Sequence, residues 1–251
     1  MTEVSIKSPE EISRLKEGGK LLFGIVKRVS QAVKPGVTTQ ELDDLARQLI
    51  AEAGARPSFE GFGQPPYPAA LCTSVNQELV HCIPGPRQLK EGDIISLDCG
   101  IWYKGLCTDH AITVPVGKIS LQAKKLIQVT KKSLELAIKQ IKPGRPLGDM
   151  GFAVQKFVEK NNFGVIRKLV GHGVGYKVHE PPGIPNFGNQ GQGKVLKEGM
   201  VLAIEPMVSA GDYDIKTRSN GWDIVTADGS LSAHFEHTVV VTNKGVKILT
   251  K

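Results

Sequence analysis

The sequence lacks any long hydrophobic run: no stretch of its 251 residues approaches the roughly 18 apolar residues that a membrane-spanning helix requires. The chain begins Met1-Thr-Glu-Val-Ser, without a basic segment followed by an apolar one, so we expect no signal peptide. Cysteine is scarce, and the four thiols form no CxxC pair and no disulfide-scaffold spacing. We therefore expect a cytoplasmic protein without membrane attachment. Its cysteines are expected to be reduced and half-buried: Cys72, Cys82, Cys99 and Cys107.

Charge of neither sign dominates the chain. It has 32 basic and 25 acidic residues, a net charge of +7, and the lysines and arginines are scattered along predicted helical faces. A solvated surface is the favoured interpretation, and transient attraction to ribosomal RNA stays open as an alternative. We expect no specific nucleic-acid site. With 40% hydrophobic residues the composition is that of a globular protein, which we expect to be a monomer.

The first part of the chain predicts two helices. Ser8-Pro9-Glu10-Glu11 combines a Ser N-cap with Pro and Glu in the first helical turn, the pattern of a capped helix start. Apolar residues then recur at three- and four-residue spacing until Lys34-Pro35-Gly36 ends the helix. A second helix is predicted to begin near Thr38 or Thr39 and to end at Gly54.

The same arrangement recurs further along. Ser120 caps a helix that Lys142-Pro143-Gly144 ends, and a shorter helix follows to about Asn161. After each helix pair the segment Leu-Lys-Glu-Gly leads into an apolar strand, at 89–98 and at 196–205. Helices followed by strands indicate the α+β class with a largely antiparallel sheet.

This repeat predicts a single catalytic domain, residues 1–251, built from two related helix–helix–strand halves at roughly 8–117 and 120–251. It also pairs Asp98 with Glu205, since each acid ends the apolar run of its half. A carboxylate buried at such a position is costly unless a positive charge compensates it.

Two carboxylates are predicted to meet on a hairpin. Asp98 and Asp109 lie in strands that the turn Tyr103-Lys104-Gly105 joins, which brings the two acids to neighbouring positions. Like charges this close are unfavourable unless a proton or a cation lies between them. For this pair alone, the sequence does not distinguish a cation-binding pair from one acid that caps a turn and one that is solvated.

A second group of candidate ligands lies later in the chain. Gly171-His172-Gly173 places an imidazole in a glycine-rich turn, where the backbone can approach a ligand closely. Glu205 precedes Pro206, and Glu236 lies in the apolar run Leu231–Val241, which predicts one core strand. The four acids together carry four negative charges, which two divalent ions would balance. An oxygen-rich set with one imidazole suits Mn, Fe, Co or Zn.

The order of these residues resembles that of the type I methionine aminopeptidases. The resemblance covers nearly the whole chain and includes Ser74-Val75-Asn76 before His81, the segment Gly171–Gly175, Ile204-Glu205-Pro206 and Glu236-His237-Thr238. It implies the pita-bread fold, with two pseudo-symmetric halves around the sheet. It also implies removal of the initiator methionine from nascent polypeptide N-termini, with preference for a small second residue. Two divalent ions (Co, Mn, Fe, Zn or Ni) would be the cofactors, and transient association with the ribosome stays open.

The resemblance implies a role for each site residue. The implied metal ligands are Asp98, Asp109, His172, Glu205 and Glu236. Asp98 would bind one ion, His172 and Glu205 the other, and the remaining two acids both.

The implied catalytic and substrate-binding residues include two further histidines. Glu205 would transfer a proton, His179 would stabilise the oxyanion, and His81 would hydrogen-bond the substrate amide or the leaving amine. The implied methionine side-chain pocket is lined by Tyr67, Cys72 and Trp222.

Three residues depart from the family's pattern around this pocket. Gln64 and Val178 stand where aromatic residues are usual, and Cys82 replaces a usual Gly. We therefore expect a pocket that is wider or differently shaped.

The remaining histidines adjoin the ligand motifs. His110 and His237 directly follow candidate ligands, so strand alternation predicts that they point away from the metals. His234 lies two residues before Glu236, and two interpretations stay open: a hydrogen-bond partner of a ligand, or a solvated residue at the rim.

Two other functions compete with this interpretation. Xaa-Pro aminopeptidases and prolidases share the five ligands, but they usually carry a sizeable extra N-terminal domain, whereas about one helix precedes Lys34 here. Non-enzymatic adaptors of the same fold lose ligands and gain basic extensions, and this chain retains all five ligands.

Overall fold

Residues 3–251 are described by a computed structural model, in which two helix pairs pack against one large sheet. The first pair is α1 (Pro9–Ala32) and α2 (Thr39–Glu52). Both helices begin at a complete capping box: Ser8 accepts from the Glu11 N–H while the Glu11 carboxylate accepts from the Ser8 N–H, and Thr38 starts α2 in the same way. The predicted helix starts are therefore confirmed, with Ser8 and Thr38 as the caps.

The second helix pair repeats the arrangement. α3 (Leu121–Lys139) begins after the predicted cap Ser120, whose hydroxyl accepts from the Ala123 N–H, and α4 (Gly148–Lys160) follows. Each pair has its own hydrophobic core, one between α1, α2 and the strand around Leu97, the other between α3, α4 and the strand around Leu202. The proposed half boundaries stay a prediction.

The strands, in chain order, are β1 (Arg56–Pro57), β2 (Leu71–Val75), β3 (Glu78–Val80), β4 (Ile94–Tyr103), β5 (Leu106–Pro115), β6 (Gly164–Val165), β7 (Gly171–Gly173), β8 (Glu180–Ile184), β9 (Val201–Ile204), β10 (Met207–Ser209), β11 (Ile215–Thr217), β12 (Ile224–Thr226), β13 (Ser232–His234), β14 (Glu236–Thr242) and β15 (Gly245–Ile248). The largest sheet has the order β1-β4-β5-β14-β9-β7-β8, with β2 beside β4 and β15 beside β14. Smaller sheets have the orders β13-β10-β6 and β11-β12-β3. All pairings described are antiparallel, which confirms the predicted sheet type.

The hairpin of β4 and β5 forms at the predicted turn. Lys104 and Gly105 have φ angles of 48° and 80°, the left-handed pair that a two-residue turn between twisted strands favours. However, β4 continues to Tyr103, so Asp98 lies in the middle of its strand and the prediction that it ends the strand is wrong. Its neighbour Leu97 faces the helix core, and alternation turns Asp98 to the opposite face.

The run Leu231–Val241 is divided, and the prediction of one strand is wrong. The chain leaves the small sheet after His234 and joins the large sheet at Glu236. The strands that pair with the two parts, β9 and β10, are interrupted at the corresponding position, between Ile204 and Met207. Pro206 lies in this gap and has no N–H with which to continue the ladder.

Two expectations from composition can be compared with the structure. All four cysteines are free, but each is at most 3% exposed, so the prediction of half-buried thiols is wrong. Within residues 3–251, no helix combines the length and apolarity needed to cross a bilayer.

Candidate metal centre

Neighbouring strands bring three of the predicted acids into one row across the large sheet. Asp98 on β4 and Glu236 on β14 both pair with Ala111 on β5, so a small residue separates the two carboxylates. Glu205 directly follows β9, whose register with β14 places it beside Glu236. Paired residues of an antiparallel ladder point to the same face, and the three side chains therefore converge.

Asp109 and His172 form the adjacent row. Asp109 precedes Ala111 by two residues on the same face of β5, and its partner is Gly100. His172 pairs with Ala203, which precedes Glu205 by two residues. It lies in strand β7 rather than in the predicted glycine-rich turn. The small residues Ala111, Gly100 and Ala203 thus pair with the candidate ligands and leave room for those side chains to share one space.

The protonation of His172 prepares one of its nitrogens to bind a cation. Its Nδ1 lies 2.9 Å from the Gly173 carbonyl oxygen, and because a carbonyl only accepts, Nδ1 carries the proton. Burial, and then repulsion by His179, lower the pKa of His172 to about 3, so the ring is neutral. The Nε2 lone pair faces Glu205 Oε1 at 3.3 Å. Two acceptors at this distance are unfavourable unless a proton or a metal cation lies between them.

The buried carboxyl groups also lack compensation. Burial raises the pKa of Asp98 to about 7, and burial together with repulsion among the acids raises the pKa of Asp109, Glu205 and Glu236. Asp98 Oδ1 and Glu236 Oε1 have no hydrogen-bond partner in the described part of the chain. Ligand atoms of Asp109, His172 and Glu236 all lie within 4.8 Å of one another. This donor set fits a divalent cation.

One cavity of about 110 Å³ is lined by every predicted metal, catalytic and substrate-binding residue. Tyr67, Cys72 and Trp222 form its apolar end. The Tyr67 hydroxyl lies 3.1 Å from the Cys82 carbonyl oxygen, and its ring meets Trp222 edge-on at 5.1 Å between ring centres. The apolar pocket and the buried carboxylates are therefore parts of a single site.

The aromatic lining includes two residues that the sequence analysis missed. Phe59 and Phe62 line the cavity, and Phe62 packs edge-on against His179 with ring centres 5.2 Å apart. The signal for them was the segment Ser58–Gly63, in which glycines accompany both rings. A Cβ at Gly63 would lie 2.4 Å from the Trp222 ring, so only glycine permits this close approach.

Only one of the three departures from the family's pattern shapes the cavity. Val178 lines it, whereas Gln64 is exposed and absent from its wall. The thiol of Cys82 faces the Val80 carbonyl oxygen at 3.4 Å, away from the cavity. Gln64 and Cys82 therefore do not line the cavity directly, and the expectation of a wider or differently shaped pocket stays a prediction.

His81 and His179 face the same cavity as neutral donors. His81 follows β3 with a φ of 59°, a left-handed backbone that is uncommon for residues other than glycine and concentrates at functional sites. Burial, and then repulsion by His179, lower the pKa of His81 to about 4. Burial also lowers the pKa of His179, whose ring centre is 4.3 Å from that of His172.

The other three histidines have different environments. His110 and His237 stack at 4.8 Å and line a separate cavity with Phe23, which confirms that they point away from the candidate ligands. His234 is 1% exposed, so the solvated alternative is wrong. Its Nε2 lies 3.6 Å from Glu205 Oε2.

Comparisons with known proteins agree with this geometry. The model of metallopeptidase family M24 matches residues 13–243. A methionine aminopeptidase of Clostridium perfringens is 46% identical over 248 residues, which cover 98% of either chain. The crystal structure of a methionine aminopeptidase from Thermotoga maritima, 45% identical, matches with a TM-score of 0.97 over 99% of this chain and 100% of that one. A prolidase from Pyrococcus furiosus is 22% identical and matches with a TM-score of 0.78 over 98% of this chain and 65% of that one, which shows a common fold alone. The predicted pita-bread fold is confirmed.

Proposed function

The chain belongs to metallopeptidase family M24, and we propose that it is a methionine aminopeptidase acting on the N-termini of newly made polypeptides. The observation that carries the proposal is the single cavity in which an apolar pocket meets three buried carboxylates, a fourth that is largely buried, and three histidines. Full-length likeness to methionine aminopeptidases supports the same activity. Family membership and the cluster of Asp109, His172 and Glu236 support the use of divalent metal.

The proposed substrate places its first side chain in the apolar end of the cavity. Cys72 and Trp222 offer a polarisable lining that suits an unbranched thioether. The remainder of the polypeptide leaves through an adjoining cavity of about 290 Å³, which shares His81 and His179 with the first. Because these rings border the passage, the second residue is proposed to be small: Gly, Ala, Ser, Cys, Thr, Pro or Val.

The proposed cofactors are two divalent ions, whose four positive charges balance the four carboxylates. All five candidate ligands line the cavity. Asp98 would hold one ion and His172 with Glu205 the other, while Asp109 and Glu236 would serve both. Cobalt, manganese, iron, zinc and nickel are all compatible with these ligands. Such ions supply Lewis-acid activation of water and of the substrate carbonyl.

The side chains around the ligands hold and move protons. Glu205, with one oxygen facing His172, is assigned the transfer of a proton to the leaving amine. His179 and His81 are neutral, so their ring N–H groups can donate hydrogen bonds without adding charge. His179 is assigned to the oxyanion and His81 to the substrate amide.

The experiment measures methionine release from Met-Ala-Ser by protein stripped of metal, verified metal-free and then reloaded with each ion in turn. Stripping should abolish release, and Mn²⁺, Co²⁺ or Fe²⁺ should restore it. The dipeptide Ala-Pro tests the proline-specific alternative on the same preparations. Full activity of the metal-free protein would exclude metal catalysis, and faster cleavage of Ala-Pro would exclude the methionine assignment.

A further inference from the structure

His234 is a buried imidazole to which the proposed reaction assigns no role. Its side chain is 2% exposed, and neither ring nitrogen has a hydrogen-bond partner among residues 3–251. A neutral imidazole has one N–H donor and one acceptor nitrogen. Leaving a buried donor unpaired costs about 1–3 kcal/mol, so a ring in this state calls for a specific partner.

The nearest carboxylate is that of Glu205, which lies between two imidazoles. His172 Nε2 faces its Oε1 at 3.3 Å, and His234 Nε2 faces its Oε2 at 3.6 Å. The Nδ1 of His172 donates to Gly173, which leaves the Nε2 lone pair of that ring for a cation. No carbonyl holds the Nδ1 proton of His234, so its Nε2 is free to carry the proton toward Glu205.

The backbone of His234 is fixed on both sides. Its N–H donates to Thr113 Oγ1 at 2.9 Å, and the same hydroxyl lies 2.8 Å from the His234 carbonyl oxygen, to which it donates. Across the β10–β13 ladder His234 pairs with Met207, two residues after Glu205. The ring and the carboxylate therefore project from adjacent, hydrogen-bonded segments.

We propose that His234 is a positioning residue of the metal centre, whose Nε2–H, 3.6 Å from Glu205 Oε2 in this structure, closes to a hydrogen bond with that oxygen when a cation is bound. This hydrogen bond orients the carboxylate so that Oε1 and the lone pair of His172 face the same cation. The inference rests on the proposed metal use and adds to it a residue outside the assigned ligand set. Partners that orient a ligand in this way affect metal affinity by roughly 10- to 100-fold.

The test compares two variants at this position. His234→Gln retains an N–H donor on a side chain of similar reach, whereas His234→Met fills the space without a donor. Co²⁺ binding to the metal-free proteins is measured by calorimetry, and the visible absorption of bound Co²⁺ reports the ligand geometry. His234→Met should weaken binding by roughly 10- to 100-fold and shift the absorption, while His234→Gln should stay close to the unmodified protein in both respects.

The matched control is His237→Gln, which changes a histidine next to Glu236 on the opposite face of the sheet. It should leave Co²⁺ affinity unchanged, and thermal unfolding of each metal-free variant checks that the fold is intact. Normal binding and absorption in His234→Met would overturn the inference. If His234→Gln binds Co²⁺ as weakly as His234→Met does, the imidazole itself is required and the proposed donor role is wrong. If the unmodified protein fails to bind Co²⁺, the proposed metal use fails instead.

Discussion

The buried ion pair of Lys7 and Glu180 fixes the N-terminal segment against the residues that carry His179. Lys7 Nζ lies 2.8 Å from Glu180 Oε2, and the two side chains are 0% and 6% exposed. Lys7 Nζ also contacts the Ser5 hydroxyl and lies 4.2 Å from the centre of the Tyr176 ring. Glu180 follows His179 directly, so the pair stabilises both the fold and one wall of the candidate site.

Replacing Lys7 by Met keeps the length of the side chain and removes its charge. Glu180 is then left as a buried carboxylate without a cation, a change that costs about 3–5 kcal/mol of the free energy of unfolding. Backbone N–H groups of Tyr176 and Lys177 still donate to this carboxylate, so we expect the lower end, about 3 kcal/mol. The double variant Lys7→Met/Glu180→Gln removes both charges and should lose much less than the sum of the single changes.

The stability lost on replacing Lys7 by Met should depend on pH in a defined direction. Burial alone would raise the pKa of Glu180, but hydrogen bonds from Lys7 and Ser5 outweigh it and lower the pKa. A lowered native pKa contributes stability above the unfolded-state value of about 4.3, and this contribution disappears as pH falls through the native pKa. The difference between Lys7→Met and the unmodified protein should therefore be large at pH 7 and shrink in acid.

The assay is urea unfolding followed by circular dichroism, with a chelator present so that metal binding does not add to stability. Lys104→Met is the matched control, because Lys104 and Glu17 form a 2.6 Å pair whose side chains are 51% and 47% exposed. That exposed pair should contribute little, because solvent and salt screen it. A Lys7→Met variant no less stable than the control, or single and double variants of equal stability, would refute the reasoning.

The metal centre and the pocket lead to four more expectations. Asp109→Asn removes a charge assigned to both ions and should reduce the metal content and kcat; unchanged metal content would contradict the assignment. His172→Ala should lose metal, whereas His179→Ala should retain it and lose roughly 10²- to 10⁴-fold in kcat, and equal metal loss would argue against these roles. Val178→Phe should favour Met over Leu as the first residue in kcat/KM by up to about 1–3 kcal/mol, and an unchanged ratio would exclude this position as the cause. In the metal-free protein, burial raises the carboxyl pKa values, that of Asp98 to about 7, so the native state holds more protons than the unfolded state. Urea unfolding should therefore show that stability decreases from pH 7 to about 8.5. An increase in stability over this range would contradict the reasoning.

The helices could be predicted accurately because their limits depend on local sequence. Ser8 and Thr38 cap helices through contacts with residues three positions away, and the same holds for Ser120. The division of Leu231–Val241 could not be predicted in this way. Its position depends on Pro206 in another segment, which ends the ladder on the partner strand.

The candidate ligands could be predicted because acids in apolar strands are rare without a partner, whereas the aromatic wall depends on tertiary contacts. Gly100 allows the Phe59 ring, and Gly63 the Trp222 ring, to approach the backbone closely at the cavity wall. Gln64 lies only two residues from Phe62 in the sequence, but its side chain is exposed. Position along a loop does not determine which side chain faces the site.

The placement of the acids leads us to expect that metal binding and folding are coupled in this protein. Asp98 and Glu236 belong to strands that must pair for the core to form, and their register with Ala111 brings the carboxylates together whether or not a cation is present. Without a cation, these groups satisfy the fold only by holding protons, which is the physical cause of their raised pKa values. A divalent ion would replace those protons, and its binding energy would then add directly to the stability of the strand pairing. The sheet therefore fixes the positions of the candidate ligands in advance, and a bound cation would offset their charge repulsion.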